Sequence, residues 1–292
     1  MTRKATEIDP QRPKRVAAVH DISCVGRCAM TVILPTLSVL GAEVCPLPTA
    51  LLSTHTGGYE GFTFLDLTGE MEKIRAHWKS LGLTFDAVYS GFLGSAAQIA
   101  SVASFVEECR KENPSLVFLA DPVMGDDGKR YTTYTDEMCA LTGKLAAEAD
   151  IITPNVTEAC LLLGENYRPE LSEDDHDDML LSLLHRTRGS VVLTGIERHT
   201  ENGGEIGAAW VMRDGTHGRY YTRKDPVGYP GTGDLFASIL LGRLLYGADM
   251  ENAVRSACDF IARCAAHTTR IGGETRAGTA FEPFLGSLAQ NI

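Results

Sequence analysis

The chain has 292 residues, 44% of them hydrophobic and 22% charged, which is ordinary for a soluble globular protein with a substantial core. Its formal net charge of −11 at pH 7 argues against nucleic acid or an anionic membrane as a partner. No run of about 18 apolar residues could span a membrane, and the polar residues 1–15 have no apolar centre typical of a secretory signal. We therefore expect a cytoplasmic protein with a flexible tail over residues 1–15 and a single domain over residues 16–292.

Strand-like apolar runs alternate with segments of helical apolar spacing along the chain. The predicted strands are residues 16–19, 43–47, 85–90, 116–120, 151–152 and 191–195, with a hairpin of 206–212 and 217–223. The predicted helices are residues 27–40, 71–81, 96–113, 136–149, 174–187, 235–246 and 250–268, with a further helix that begins within residues 153–158 and runs to about residue 163. Residues 51–59 are polar and glycine-bearing, which predicts a loop or flap. This alternation is typical of an α/β fold whose mostly parallel central sheet carries helices on both faces.

Polar and aromatic residues recur where the predicted strands end. In sheets of this kind, ligands bind beyond the carboxyl ends of the strands. Any one of these residues could be a turn or cap residue, but their shared location favours a binding site. The residues at those ends are Asp21, Ser23, Phe92, Asp121, Asp126, Asn155, Glu158 and Thr194.

A glycine-rich turn, Gly231-Thr232-Gly233-Asp234, leads directly into an apolar helical segment. The first turn of a helix has unpartnered N–H groups and a partial positive charge, so this turn predicts a phosphate site. A carboxylate at the mouth of such a site repels phosphate, so Asp234 needs a reason to be there. It is either a plain helix cap or a base that takes a proton from an attacking hydroxyl.

Four further residues supply oxygen ligands near the predicted phosphate site: Asp121, Asp126, Asn155 and Glu158. Mg²⁺ uses few protein carboxylates and fills its other positions with water and phosphate oxygens. A net-acidic chain can bind a nucleotide through such a metal, and phosphoryl transfer needs positive charge against the phosphates. The chain has neither a Walker pattern nor a G-x-G-x-x-G turn after a strand, so it is neither a P-loop enzyme nor an obvious dinucleotide binder.

The eight cysteines are scattered, and no C-x-x-C pair occurs. Cys24 and Cys28 could ligate a metal, but two ligands do not complete a zinc site. We expect buried, reduced thiols of the kind found in cytosolic proteins.

Three sequence blocks occur in order along the chain, namely residues 121–126 (Asp-Pro-Val-Met-Gly-Asp), 153–158 (Thr-Pro-Asn-Val-Thr-Glu) and 231–234 (Gly-Thr-Gly-Asp). They resemble the signatures of the ribokinase-like superfamily, and most closely those of its pyridoxal kinase branch. Residues 53–59 (Ser-Thr-His-Thr-Gly-Gly-Tyr) and 192–195 (Val-Leu-Thr-Gly) support the resemblance. It extends from about residue 16 to the C-terminal region, and it implies a ribokinase-like fold. Residues 43–68 are too few for the separate β lid of sugar and nucleoside kinases, so no large lid domain is expected.

The resemblance implies ATP-dependent phosphorylation of the 5′-hydroxymethyl group of pyridoxal, pyridoxine or pyridoxamine. By this analogy Asp234 is the base, and the backbone N–H groups of Gly231, Thr232 and Gly233 form the anion hole. The resemblance also implies a homodimer.

The same resemblance implies the metal and nucleotide contacts. Asp121 and Glu158 would hold Mg²⁺ and its waters, and Asp126 and Asn155 would face the phosphates. Thr194 would contact the nucleotide and, with Thr153, help to hold K⁺ or Na⁺.

Two positions depart from the vitamin B6 kinases of eukaryotes, which have serine at Ala18 and tyrosine at Phe92. Here Asp21 or Ser23 would bond the ring nitrogen or the 3-hydroxyl group, and Phe92 would stack on the ring. His55 and Thr56 would flank the ring, although His55 could equally be a structural loop residue.

Three alternative functions stay open. The loop with Asp21 and Ser23 is also similar to that of hydroxymethylpyrimidine kinases, which share the superfamily. A sugar or nucleoside kinase is a second alternative. A nucleotide-binding regulator without turnover is a third, although such a protein would have no need to keep Asp234.

Overall fold

The computed structural model describes residues 12–201 and 203–289. Its strands are β1 (Arg15–Ser23), β2 (Glu43–Leu52), β3 (Phe64–Asp66), β4 (Ala87–Ser90), β5 (Val117–Ala120), β6 (Gly125–Asp126), β7 (Lys129–Arg130), β8 (Ile151–Ile152), β9 (Ser190–Thr200), β10 (Gly203–Val211) and β11 (His217–Arg223). Its helices are α1 (Met30–Val39), α2 (Thr68–Leu81), α3 (Ala96–Glu112), α4 (Asp136–Ala147), α5 (Val156–Leu163), α6 (Glu173–Arg186), α7 (Thr232–Leu245) and α8 (Met250–Arg270). Two 3-10 helices follow, Thr275–Ala277 and Glu282–Ser287.

Nine strands form the central sheet, in the order β11-β10-β9-β8-β5-β4-β1-β2-β3. The six strands from β9 to β2 in this order pair in parallel, and the antiparallel strands β3, β10 and β11 lie at its two ends. Helices connect the parallel strands, as a parallel sheet requires. The predicted α/β fold with a mostly parallel sheet is therefore confirmed.

The side chains of the central strands alternate between two apolar layers. Ala17 and Val19 of β1 face a layer that contains residues of α2 to α6. Val16 and Ala18 face the opposite layer, with residues of α1, α7 and α8. Both faces of the sheet are buried, which explains why the parallel strands are nearly continuous apolar runs.

The ends of several elements differ from the predictions, and two of these differences shape the site. β1 continues to Ser23 rather than ending at Val19, so Asp21 lies in a strand and not in a loop. Helix α1 begins at Met30 rather than Arg27. The preceding backbone bonds elsewhere, since the Arg27 N–H donates to the Ala277 carbonyl at 3.0 Å.

Two short strand pairings were not predicted. β3 pairs with the end of β2, and β6 pairs with β7 in a separate two-stranded sheet. Within the described ranges, no larger β lid accompanies these pairings, in agreement with the prediction.

The predicted N-terminal tail falls mostly outside the described residues, since residues 1–11 are not among them. Its described end is anchored, because Arg12 forms an ion pair with Asp86 at 2.8 Å and Arg15 begins β1. None of the helices in the described part of the chain is long and apolar enough to cross a membrane.

All eight cysteines are free thiols. Four of them are buried, namely Cys109, Cys160, Cys258 and Cys264. Cys24 is exposed, so the prediction of buried thiols is wrong at that position.

Candidate active site

The glycine turn packs against the loop that precedes α1. Gly231 has a left-handed backbone with φ of 79°, and a Cβ there would lie 1.9 Å from the Arg27 carbonyl oxygen. Only glycine satisfies both demands. Helix α7 begins directly afterwards at Thr232, three residues earlier than predicted, so Asp234 lies in its first turn. At Gly233, by contrast, an added Cβ would meet nothing within 4 Å.

Asp234 does not cap α7. The N-cap residue is Gly231, and no side chain caps this helix. Instead the Asp234 carboxylate accepts a hydrogen bond of 2.8 Å from the backbone N–H of Ala29. The capping alternative left open by the sequence is therefore not seen, and the carboxylate is held between the starts of α7 and α1.

The proton affinity of Asp234 is unusual for an aspartate. Burial raises the pKa of Asp234 to about 7, the hydrogen bond from Ala29 opposes this shift, and the negative charge of Asp21 adds to it. A carboxyl group with a pKa near neutrality can exchange a proton at physiological pH. Perturbed groups of this kind cluster at functional sites.

Asp121 lies close to Asp234 although the two are far apart in sequence. It follows β5 at the carboxyl edge of the sheet and is buried. Burial raises the pKa of Asp121 to about 8, and the charge of Asp234 contributes. The hydroxyl group of Thr153, which follows β8, donates to Asp121 at 3.1 Å and favours its ionised form.

Glu158 and Asn155 form a capping box at the start of α5. The Asn155 side chain accepts from the Glu158 N–H at 2.9 Å, and Glu158 accepts from the Asn155 N–H at 2.8 Å. The other Glu158 oxygen accepts from the Met124 N–H at 3.1 Å. Burial, and then the charge of Asp121, raise the pKa of Glu158 well above its usual range. Glu158 thus has a structural role beside the predicted metal role.

The remaining predicted nucleotide residues lie at the same edge of the sheet. Asn155 and Thr194 are bridge partners, and the Asn155 side-chain amide donates to the Gly125 carbonyl at 3.0 Å. The Thr194 hydroxyl donates to the Pro154 carbonyl at 3.3 Å. Asp126 is exposed at the end of β6. The strand order places these residues beside Asp121.

Asp21 and Ser23 meet at the end of β1. Ser23 is fully buried, and its hydroxyl group donates to Asp21 at 3.0 Å. Burial raises the pKa of Asp21, and the Ser23 hydrogen bond opposes that shift. Because Asp21 also acts on the pKa of Asp234, the two carboxylates belong to one region.

The two nitrogens of the His55 ring both bond to backbone. Nδ1 accepts from the Gly57 N–H at 3.1 Å, so Nε2 carries the proton and donates to the Arg276 carbonyl at 2.6 Å. The ring also fills the space beside Gly26, where a Cβ would lie 2.2 Å from it. These contacts favour the structural alternative for His55, whereas the adjacent Thr56 is exposed.

Phe92 is half-buried after β4. Its ring packs edge-on against Tyr134, with centroids 6.1 Å apart. Its backbone carbonyl accepts from the Thr49 hydroxyl at 3.4 Å.

The sequence reasoning missed two contributors to this region. The first is the Ala29 N–H, which holds Asp234; Ala29 has a φ of 49°, which is unusual for a residue other than glycine. A backbone donor has no residue-type signal, so no sequence pattern could have revealed it. The second is Tyr134, which is buried against Phe92.

Over residues 12–201 and 203–289, no group of three or more His, Cys, Asp or Glu side chains could hold a metal ion. Cys24 and Cys28 therefore do not belong to such a group. Two buried carboxylates with water and phosphate as further ligands still match the usual environment of Mg²⁺.

This edge of the sheet combines a glycine turn, a helix N-terminus and several carboxylates of raised pKa. A family model described as phosphomethylpyrimidine kinase matches residues 33–278. The chain belongs to the phosphomethylpyrimidine kinase family. This family member is 31% identical over 218 residues to the pyridoxal kinase of Bos taurus, an alignment that covers 70% of this chain and 69% of that protein.

Solved structures agree with this assignment. The family member resembles a candidate phosphomethylpyrimidine kinase from Bacteroides thetaiotaomicron, crystallised with pyridoxal, at 39% identity and a TM-score of 0.90, with 96% of this chain and 97% of that chain covered. It also resembles the pyridoxal kinase of Lactobacillus plantarum at 29% identity and a TM-score of 0.85, with 94% and 96% covered. The predicted resemblance to pyridoxal kinases of the ribokinase-like superfamily is confirmed.

Proposed function

We propose that this protein transfers the γ-phosphoryl group of ATP to the 5′-hydroxymethyl group of pyridoxal, pyridoxine or pyridoxamine. The observation that carries this proposal is Asp234, a carboxylate with a pKa of about 7 in the first turn of α7, directly after the glycine turn. A base whose pKa lies near neutral pH can accept the proton of a hydroxyl group, and the start of a helix can bind the phosphates. Together they suit transfer of a phosphoryl group from ATP to a hydroxyl group. The similarity to the bovine pyridoxal kinase supports the vitamin B6 acceptor.

In the proposed reaction, Asp234 accepts the proton of the hydroxyl group as its oxygen attacks the γ-phosphorus. The bond between the γ-phosphorus and the β,γ-bridging oxygen breaks, and ADP leaves. The N–H groups of Gly231, Thr232 and Gly233 stabilise the negative charge on the phosphoryl group during its transfer. Positioning and electrostatic stabilisation of this kind are the main catalytic contributions in phosphoryl transfer.

Mg²⁺ fits the carboxylates of the site. Asp121 and Glu158 are both buried, and the charge of Asp121 adds to burial in raising the pKa of Glu158. We assign them to hold Mg²⁺ and its waters, and a divalent charge would favour their ionised forms. When bound, the ion would supply positive charge against the phosphates.

The assignment of the other nucleotide contacts is also part of the proposal. Asp126 and Asn155 face the phosphates, and Thr194 contacts the nucleotide. Thr153 and Thr194 help to hold K⁺ or Na⁺. Asp126 ends β6, Thr153 and Asn155 follow β8, and Thr194 lies within β9 level with Asn155, which supports these roles.

For the acceptor ring, we propose that Asp21 bonds the ring nitrogen or the 3-hydroxyl group, with Ser23 orienting Asp21. Ser23 is given the orienting role because its hydroxyl group donates a hydrogen bond to Asp21. Phe92 stacks on the ring. Thr56 and His55 flank it, with His55 shaping the loop through its two backbone hydrogen bonds.

A hydroxymethylpyrimidine kinase is the second candidate function. The family model itself favours it, and Asp21 at the end of β1 could bond a pyrimidine as well as a pyridine. The reaction would use the same base and anion hole. A non-catalytic regulator is disfavoured because Asp234 keeps the environment of a base.

One coupled assay separates these candidates. ADP release from Mg-ATP is measured with pyridoxal, pyridoxine, pyridoxamine and hydroxymethylpyrimidine. We expect turnover with at least one vitamin B6 form. Turnover with the pyrimidine alone would replace the acceptor but keep the chemistry. No turnover with any of the four, while ATP still binds, would contradict the proposed function.

We also propose that residues 16–292 form one kinase domain and that the protein is a cytoplasmic homodimer. The single nine-stranded sheet supports the first statement. Light scattering coupled to gel filtration would measure the mass, for which we expect twice the 31.6 kDa of one chain.

A further inference from the structure

Three buried polar side chains lie in the apolar layer between the sheet and α7, where no proposed catalytic role uses them. They are His20 on β1, Tyr89 on β4 and Ser238 on α7, each at most 1% exposed. Among the described residues, three of their atoms have no hydrogen-bond partner, namely His20 Nε2, the Tyr89 hydroxyl and Ser238 Oγ. Buried polar atoms are nearly always paired, so these three need an explanation.

The three side chains are neighbours. β1 and β4 pair with Ala18 opposite Tyr89, which puts His20 and Tyr89 on the same face of the sheet. Their rings meet edge-on with centroids 4.3 Å apart. The Ser238 hydroxyl is close enough to lower the pKa of Tyr89, although the two groups do not reach hydrogen-bond geometry.

This cluster lies behind the active-site carboxylates. Ser238 follows Asp234 by four residues in α7, so the two lie on the same side of the helix. Burial raises the pKa of Tyr89 well above its usual range, and the charges of Asp121 and Asp234 add to that effect. The Tyr89 hydroxyl is therefore within electrostatic reach of both acids.

The three side chains offer one hydrogen-bond acceptor and two hydrogen-bond donors. Nε2 is the His20 ring nitrogen without a partner, so the interaction with the Tyr89 backbone that opposes the fall in the pKa of His20 is assigned to Nδ1, which then carries the proton. Burial lowers the pKa of His20 to about 3, which keeps the ring neutral and Nε2 an acceptor. The hydroxyl groups of Tyr89 and Ser238 can each donate.

We propose that His20, Tyr89 and Ser238 bind one internal water molecule, and that Tyr89 positions the Asp234 carboxylate through it. The water accepts from the two hydroxyl groups, donates to His20 Nε2 and directs its second proton toward the acids. This gives the water the number of hydrogen bonds typical of buried waters. The positioning role rests on the proposed function, since it assumes that Asp234 acts in turnover.

Tyr89→Phe tests the positioning role because it removes only the hydroxyl group. We expect kcat to fall about tenfold, because the water loses one of the two hydroxyl donors that hold it in place, with the KM values for ATP and acceptor within about twofold. Tyr221→Phe is the matched control, since the buried Tyr221 hydroxyl on β11 also has no partner in the described part of the protein. We expect no change in its kcat. An unchanged kcat in Tyr89→Phe, or an equal loss in both variants, would overturn the positioning role.

The water site is tested without any assay of turnover, so that its failure is distinct from failure of the proposed function. A high-resolution crystal structure should show one water within hydrogen-bond distance of His20 Nε2 and the Tyr89 hydroxyl. The ¹⁵N resonance of His20 Nε2 should have the shift of a hydrogen-bonded acceptor and should change in Tyr89→Phe and Ser238→Ala. A dry site, or a direct bond between Tyr89 and His20, would overturn the water site.

Discussion

At the scale of single residues, turnover should depend most on Asp234. Asp234→Asn keeps the shape of the side chain and removes the proton acceptor, so we expect kcat to fall by about 10²–10⁴-fold. ATP binding, measured by calorimetry, should be retained. Asp178→Asn on the exposed face of α6 is the control and should leave kcat unchanged. Unchanged turnover in Asp234→Asn would show that Asp234 is not the base.

The pH dependence of the reaction follows from the same residue. Asp234 must be ionised to accept a proton, and its pKa is raised to about 7, so kcat/KM should rise with pH through that region. The apparent value belongs to the coupled pair, because the charge of Asp234 also raises the pKa of Asp121. Asp21→Asn removes a charge that raises the pKa of Asp234, so the rise should move to lower pH. Initial-rate profiles at saturating Mg²⁺ measure both, and a rise that stayed in place in Asp21→Asn would contradict this coupling.

At the scale of elements, two substitutions in the glycine turn before α7 should affect stability and kcat differently. Gly231→Ala places a Cβ against the Arg27 carbonyl in a left-handed conformation, so we expect a loss of about 1–3 kcal/mol in the free energy of unfolding. Gly233→Ala meets no atom and has a better helix former, so stability should be kept or rise slightly. Its added methyl group should nevertheless lower kcat, because it crowds the proposed anion hole. Denaturant unfolding and initial rates measure the two effects, and equal stability loss in both variants would contradict the assignment.

The start of α5 gives a second test at this scale. Both Glu158 oxygens accept backbone N–H groups, whereas glutamine at this position would turn an NH₂ group toward one of those donors. We expect Glu158→Gln to lose about 1–3 kcal/mol in the free energy of unfolding without any ligand. Glu165→Gln, just beyond the end of α5 and exposed, should be neutral. A stability equal to that of the unaltered protein would leave Glu158 with a metal role alone.

At the scale of the whole molecule, acids with a raised pKa and a histidine with a lowered pKa act on stability in opposite directions. Asp121 and Asp234 have folded pKa values of about 8 and about 7, above the range near 4 of an unfolded chain. Their stabilising contribution is present at low pH and is lost as the pH rises through those values. His20, whose pKa is lowered to about 3, makes stability rise with pH until about 6.5, where an unfolded histidine titrates.

The two effects therefore oppose each other in mild acid, where the two carboxyl groups outweigh the one histidine, and only the carboxyl effect remains above pH 6.5. We expect the free energy of unfolding of the ligand-free protein to fall between about pH 6.5 and about pH 8. The fall should be smaller in Asp234→Asn. Urea unfolding at several pH values measures this slope, and a rise over that interval would contradict the assigned shifts.

Much of the architecture could be predicted because parallel strands buried on both faces are short apolar runs between amphipathic helices. The short strands β3, β6 and β7 could not be predicted. β3 exists because Phe64–Asp66 pairs with the end of β2, and β6 and β7 exist because they pair with each other. The extension of β1 to Ser23 could not be predicted for a different reason. Asp21 and Ser23 are polar, which predicts a loop, yet buried polar side chains in a strand are expected where a sheet ends in a binding site.

The sequence by itself determined the α/β class, the family resemblance and the acids of the site, because side-chain type and spacing carry that information. Only the tertiary structure decided what those residues do to one another. Asp234 is held by the N–H of Ala29, 205 positions away, and His55 is tied to the backbone at Arg276. Backbone donors and acceptors are the same at every residue except proline, so such pairings leave no trace in the sequence. The raised pKa values have the same origin, since burial and neighbouring charge exist only once the chain has folded.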